Sequence, residues 1–309
     1  MIKKLDELMA VAKGQKRMRL AVAAAEDADV LGAVVAAAKQ GIVTPILVGD
    51  LAAMDALAEK EGFAIDQFER VASESLEASA SIAVQLVSSG RADFLMKGLI
   101  DTAILLKAVL NKETGLRTDS LLSHVMVYEV PSYHKLIYLT DGGMNIEPDL
   151  EAKAKIIANA VATAKALGAE VVKVACLAAK EKVNPQMPVT VDARALQERG
   201  EAGEFGQNVI VEGPLALDLA FSKEAAEVKK FSSAIAGDTD VLLVPNIEVG
   251  NGIGKALTYL AKAESAGVIM GAKAPVVLVS RADSYEAKLY SIALGSVIAA
   301  AQNKYLNLE

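Results

Sequence analysis

Short apolar runs alternate along this chain with longer segments of helical periodicity. The run at 18–27 is apolar and closes on acids, as a strand buried on both faces does. A helical stretch over 30–41 stops at Gly41, and a second buried strand falls at 44–50. A helix follows over 74–92, with Leu76, Ile82 and Leu86 among its apolar positions, then a strand at 93–98 that runs into Gly98. The spacing predicts a helix over 101–113 with Asp101 as its N-cap. Runs at 121–131 and 135–143 read as neighbouring strands joined by a turn at Pro131 and Ser132. The helix over 148–168 has Pro148 near its start, Leu150, Ile156, Ile157, Ala160 and Val161 on one face, and Gly168 as its stop. Strands at 171–179, 208–214 and 241–251, a helix at 253–266, a strand at 274–284 and a final helix to about residue 302 complete the pattern.

Apolar strands separated by helices predict an α/β fold with mainly parallel sheets covered on both faces. Ligands in such folds bind beyond the carboxyl ends of the strands. Several of the strands here end in polar or glycine-rich residues: Lys97-Gly98, Thr140 to Gly143, Glu212 to Pro214, Asn246-Ile247-Glu248, and Ser280 to Asp283. With 309 residues, two domains are expected.

Composition narrows the chemistry. Hydrophobic residues make up 53% and charged ones 23%, a globular balance. A net charge of −7 without a basic stripe argues against nucleic acid, and the absence of Trp argues against an aromatic platform for bases or sugars. The single cysteine, Cys176, allows no internal disulfide, which suits a cytoplasmic protein; it lies in an apolar strand and reads as an inert core residue. The N-terminal stretch shows no apolar core of signal-peptide length and no run is apolar enough to span a membrane, so a cytoplasmic location without membrane attachment is expected. His124 and His134 have no metal-ligand spacing, and no metal is assigned. No GxSxG elbow supports a serine-hydrolase mechanism.

The stretch at 276–295 carries the most information. An apolar strand delivers Ser280 and Arg281 to its carboxyl end and a helix begins at once. Free N–H groups at a helix start and a forked guanidinium are what an anion such as phosphate needs. The plainer reading is capping, since Ser280 with Asp283, and Asp283 with Glu286, both have capping-box spacing. Lys97 and Gly98 before a helix, and Arg117, are candidates for anionic groups, with solvated side chains as the alternative. Asp141 and Asn145 either orient a ligand or close an Asp-Gly turn. Asn246, Glu248, Gly250 and Asn251 lie in a glycine-rich connection that matches neither a Walker loop nor a dinucleotide fingerprint.

Taken in order, ADFLMKGLIDTA (92–103), LNKETGLRTDSLLSHVMVYEV (110–130), YLTDGGMN (138–145), VNPQMPVTVDA (183–193), VEGPLALDLA (211–220), VLLVPNIEVGN (241–251) and APVVLVSRADSYEAKLYSIAL (274–294) resemble the phosphate acetyl/butyryltransferase family, on its butyryl side. The resemblance spans nearly the whole chain. It implies two α/β domains like those of isocitrate and isopropylmalate dehydrogenases with the active cleft between them, a first domain of residues 1–126 and 271–309, and an inserted second domain of 127–270. It also implies a homo-oligomer.

The resemblance further implies direct transfer of a butyryl or branched-chain acyl group between coenzyme A and inorganic phosphate, with acyl phosphate as the third partner and no cofactor. Ser280 and Arg281 match the family's Ser-Arg pair, expected to bond the reacting thiol or carbonyl and to bind the phosphoryl group. Lys97, Gly98, Arg117, Asp141, Asn145, Asn246, Glu248, Gly250 and Asn251 are expected on the substrate side. The catalytic aspartate of acetyl-specific relatives falls on Ala287 here, leaving Glu286 and Asp283 as candidate bases, with thiolate formation through Arg281 and the helix start alone as the alternative to both. An acetyl-specific transferase, a catalytically silent coenzyme A-binding paralogue, and a metal- and nicotinamide-dependent decarboxylating dehydrogenase of the same architecture stand as alternatives.

Overall fold

The computed structural model describes residues 1–280 and 283–306. In chain order its strands are β1 (Met18–Ala23), β2 (Val43–Gly49), β3 (Glu69–Ala72), β4 (Phe94–Lys97), β5 (Ser123–Glu129), β6 (Ile137–Thr140), β7 (Val172–Leu177), β8 (Val209–Leu215), β9 (Val241–Leu243), β10 (Glu264–Met270) and β11 (Val276–Val277). Its helices are α1 (Leu5–Gly14), α2 (Ala28–Lys39), α3 (Leu51–Glu61), α4 (Leu76–Ser88), α5 (Thr102–Val109), α6 (Leu150–Ala166), α7 (Pro188–Glu201), α8 (Leu217–Phe221), α9 (Lys223–Val228), α10 (Ile247–Lys255) and α11 (Tyr285–Leu306). A π-helical turn, Ala256–Leu260, extends α10.

Two compact units emerge. One comprises Met1–Leu5 and Leu121–Ser265, the other Asp6–Ser120 and Ala266–Glu309. These divisions sit a few residues before the expected 126/127 and 270/271. The physical reasons are local: β5 starts at Ser123 and pairs with β6, while β10 pairs with β11 through Ile269 and Val276. The first residues join the inserted unit because Ile2 N–H donates to Leu167 C=O at 2.9 Å and Leu5 N–H to the Glu129 carboxylate at 2.7 Å.

In the discontinuous unit the strand order is β3-β2-β1-β4-β11-β10. All neighbours are parallel except β10 and β11. Inner strands are apolar on both faces, and Leu20, Leu47, Phe94, Leu95 and Met96 are fully buried, whereas edge strand β3 stays partly open. Gly295 of α11 lets that helix close on the sheet, since a Cβ there would meet Val277 and Phe94 side-chain atoms within 3 Å.

In the inserted unit the order is β5-β6-β9-β7-β8, parallel except for β5 against β6. Its core gathers Tyr128, Leu139, Leu177, Leu215, Leu219, Ile235 and Leu242. The helix expected at 253–266 is corrected here. Asn246 takes extended geometry and its side chain accepts the Val249 N–H, so α10 begins at Ile247 and the last residues of the expected helix belong to β10. No helix among the described residues is long and apolar enough to cross a membrane.

Candidate active site

Parallel β1, β4 and β11 are neighbours in the discontinuous unit, so their carboxyl ends share one edge. Lys97 ends β4 and is half-buried, with Nζ 3.4 Å from the Gly98 C=O. Gly98 N–H donates to Ala23 C=O at 2.9 Å and Leu99 N–H to Ala24 C=O at 2.7 Å. A Cβ on Gly98 would lie 2.0 Å from the Ala24 carbonyl oxygen, so only glycine fits where the two strand ends cross. Ala24 itself holds a left-handed backbone, φ 55°. Arg117 is exposed. The residue before it, Leu116, accepts from Lys273 N–H at 2.8 Å, which puts this segment by the amino end of β11, not by the carboxyl end where Ser280 follows.

Ser280 and Asp283 close on each other. Ser280 N–H donates to Asp283 Oδ2 at 2.7 Å and Asp283 N–H donates to Ser280 C=O at 3.1 Å. Arg281 lies outside the described residues. The N-cap of α11 is Ser284, whose Oγ accepts Ala287 N–H at 3.1 Å; the Asp283 capping expected from sequence is corrected, because that carboxylate is turned back to Ser280. Glu286 stands exposed in the first turn of α11. Lys288, which sequence reading passed over, is buried beneath this segment, with Nζ 2.6 Å from Asp283 C=O and 3.6 Å from Asp29 Oδ2 at the start of α2. It lies on a face of α11 that also buries Ile292, Gly295 and Ala299.

In the inserted unit, Asp141 follows β6 and is buried. Its Oδ1 accepts Gly143 N–H (2.8 Å) and Met144 N–H (2.9 Å), and its Oδ2 accepts His124 N–H (3.0 Å) and Asn145 Nδ2 (2.6 Å). Asn145 also donates to Leu122 C=O at 3.0 Å. The carboxylate thus orders the glycine-rich loop from within. The loop meets α10 backbone to backbone: a Cβ on Gly142 would lie 2.7 Å from Gly250 C, and one on Gly250 2.6 Å from Gly142 Cα. Asn251 Nδ2 reaches Gly142 C=O at 3.4 Å, Asn246 caps α10, and Glu248 is exposed in its first turn. Six of the sequence-selected residues therefore converge on one loop–helix junction.

Burial pushes the Cys176 thiol up to about 12, with Lys153 pulling weakly the other way, so it stays protonated at neutral pH. His134 hydrogen-bonds Asp238 at 2.8 Å. Among the described residues no group of three or more His, Cys, Asp or Glu side chains is placed to hold a metal ion.

A family profile described as phosphate acetyl/butaryl transferase matches residues 4–82 and 67–296 of this chain. The phosphate butyryltransferase of Clostridium acetobutylicum is 45% identical over 299 residues, 97% of this chain and 99% of that protein. The probable phosphate butyryltransferase of Bacillus subtilis is 48% identical over 292 residues, 94% of this chain and 96% of that protein. Among solved structures, a branched-chain phosphotransacylase from Enterococcus faecalis V583 superposes with a TM-score of 0.80 at 36% identity, over 91% of this chain and 99% of that one.

Proposed function

We propose, for a chain that belongs to the phosphate acetyl/butaryl transferase family and is a phosphate acyltransferase, direct transfer of a butyryl or branched-chain acyl group between coenzyme A and inorganic phosphate. The observation that carries the site assignment is the junction where β11 hands Ser280 to the start of α11. There a helix start, whose first backbone N–H groups have no partner within the helix, follows Ser280, and Ser284 Oγ accepts the Ala287 N–H.

In the synthetic direction the coenzyme A sulfur attacks the acyl-phosphate carbonyl carbon. A C–S bond forms, the C–O bond to phosphorus breaks, and phosphate leaves with the electron pair. The thiol proton passes to a base or to the departing phosphate. A thiol with an ordinary pKa of about 8.5 is mostly protonated at neutral pH, so it needs a base or a positive field. Ser280 is assigned to hydrogen bonding at the thiol or carbonyl, and Arg281 to the phosphoryl group, where a guanidinium matches growing charge on the leaving oxygens. Glu286 is the assigned base: its carboxylate is exposed in the first turn, whereas that of Asp283 is occupied by Ser280 N–H. Lys97, Gly98 and the 141–145/246–251 junction are assigned to the substrates. The reading takes coenzyme A as substrate, requires no cofactor, and places a homo-oligomer in the cytoplasm.

The test is release of free coenzyme A from a panel of C2 to C6 acyl-CoAs with phosphate present and a chelator added. Phosphate-dependent release, greatest with butyryl or branched four- and five-carbon groups, is expected. A preference for acetyl-CoA would overturn the acyl assignment, and restoration of a chelated sample only by a divalent ion would overturn the metal-free mechanism.

A further inference from the structure

The first turn of α11 sets a charged side chain among apolar neighbours. Lys288 is 3% exposed, one turn before Ser291 and Ile292, which are also buried. Among the described residues, two charged or strongly polar groups face its ammonium: the Asp283 carbonyl oxygen at 2.6 Å and the Asp29 carboxylate at 3.6 Å, the latter on a side chain 69% exposed. One short hydrogen bond and one long, solvent-screened ion pair do not repay the desolvation of an ammonium. An apolar side chain of similar length would stabilise this position at least as well. A local rule broken at a cost in stability points to function rather than packing.

The hydrogen bond from Lys288 ends on the residue that fixes Ser280. Asp283 holds the Ser280 N–H with its carboxylate, gives its own N–H to the Ser280 carbonyl, and receives the lysine on its carbonyl. A chain of three groups therefore runs from the buried helix face to the reactive edge. Ser284 caps the helix independently, so capping does not require the lysine.

We propose that Lys288 is a positioning residue for acyl transfer, acting through Asp283 on Ser280. The inference rests on Ser280 being at the reacting centre. The ammonium holds the Asp283 carbonyl in place. That keeps the carboxylate of the same residue on the Ser280 N–H and holds the serine hydroxyl in one orientation relative to the helix start. Misplacement by about 1 Å at such a centre costs up to about 100-fold in rate.

The test is a double-mutant cycle on the full-length protein, with kcat and KM measured per folded enzyme for butyryl-CoA and phosphate. Lys288→Met is expected to lower kcat about tenfold while KM for butyryl-CoA changes less than about twofold, as loss of transition-state alignment should. In a Ser280→Ala background the same substitution is expected to cost less than about twofold, because the serine through which it acts is gone. Lys288→Gln, which keeps an N–H donor without the charge, is expected to retain more activity than Lys288→Met. If Lys288→Met does not fold, the cycle is run with Lys288→Gln, whose smaller loss must likewise vanish in the Ser280→Ala background. Unchanged kcat in the folded variant, or a full tenfold loss on top of Ser280→Ala, overturns the proposal. Wild-type turnover in Ser280→Ala alone overturns the underlying site assignment instead, so the two failures are distinguishable.

Discussion

At the scale of single residues, two carboxylates three positions apart are held in different ways. Asp283 accepts the Ser280 N–H at 2.7 Å, while Glu286 is exposed on the first turn of α11. Asn in place of Asp283 keeps an acceptor oxygen, so Asp283→Asn should leave turnover within about threefold of the parent. Glu286→Gln removes the only carboxylate assigned to the thiol proton and should lower turnover by about 100-fold. Thermal melts accompany the kinetics, since loss of a first-turn acid costs a helix about 0.5 kcal/mol and would show there instead. Equal turnover in Glu286→Gln and the parent, or survival of the acidic limb of the pH–rate profile, removes Glu286 from the mechanism. The pairing of Ser280 with Asp283 was legible from spacing alone, but which of Asp283 and Ser284 caps α11 was not. Both are good capping residues, and the choice is made by where the Asp283 carboxylate turns. Lys288 was missed because a single lysine in a helix ordinarily reaches solvent, and only the burial of its neighbours on the same face says otherwise.

At the scale of elements, long buried strands and well-capped helices were readable, and junctions were not. The strand end at Lys97 and the helix over Leu150–Ala166 fall within a residue or two of where periodicity puts them, while the strand expected over 135–143 stops at Thr140, where Asp141 turns the chain. The region after Asn246 fails for a physical reason: glycines at 250, 252 and 254 weaken the helical signal, yet all three lie in α10, where Gly250 and Gly254 leave room for the Gly142 backbone and the Tyr128 hydroxyl. A π-helical turn then offsets the helical period just before β10. Another feature hidden from periodicity ties together the amino ends of β6, β7 and β9. Lys135 contacts Asp240 at 2.6 Å and Asp238 at 2.9 Å, Lys173 pairs with Asp238, and Asp240 Oδ2 accepts the Lys173 N–H at 2.8 Å. For Asp238 burial pushes the carboxyl pKa up, but hydrogen bonds from Lys173, Lys135 and His134 together outweigh it and hold the value well below the usual range. A folded-state pKa below the unfolded one means that this carboxylate's stabilisation is complete above about pH 4 and is lost as pH falls through the folded value. Asp238→Asn should therefore lower the melting temperature at about pH 7, and the gap to the parent should narrow steadily below about pH 4. A gap independent of pH down to about 2 would mean that packing, not charge, accounts for the loss.

At the scale of the whole molecule, the chain leaves one unit at Ser120 and re-enters it at Ala266, so the inserted unit is nearly one continuous segment and the other is not. The inserted segment has its own five strands, covering helices and a core centred on Tyr128, Leu139, Leu215 and Leu242. That is a core large enough for about 145 residues to fold alone. It lacks Ser280, Glu286 and Lys288, all of which belong to the discontinuous unit. The division was expected from family resemblance and not from any period in the sequence, since both units are built from the same strand–helix alternation. Expressed by itself, residues 121–265 should give a cooperative thermal transition with α/β circular dichroism and no phosphate-dependent release of coenzyme A. Its melting temperature should lie below that of the full chain, because Met1–Leu5, with its hydrogen bonds to Leu167 and Glu129, is missing. Appending residues 1–5 through a flexible linker should recover part of that loss without restoring turnover. A segment that stays unfolded in both forms would show that its core is insufficient alone. Turnover by the isolated segment would move the chemistry away from the start of α11 to the junction of Asp141 and Gly250.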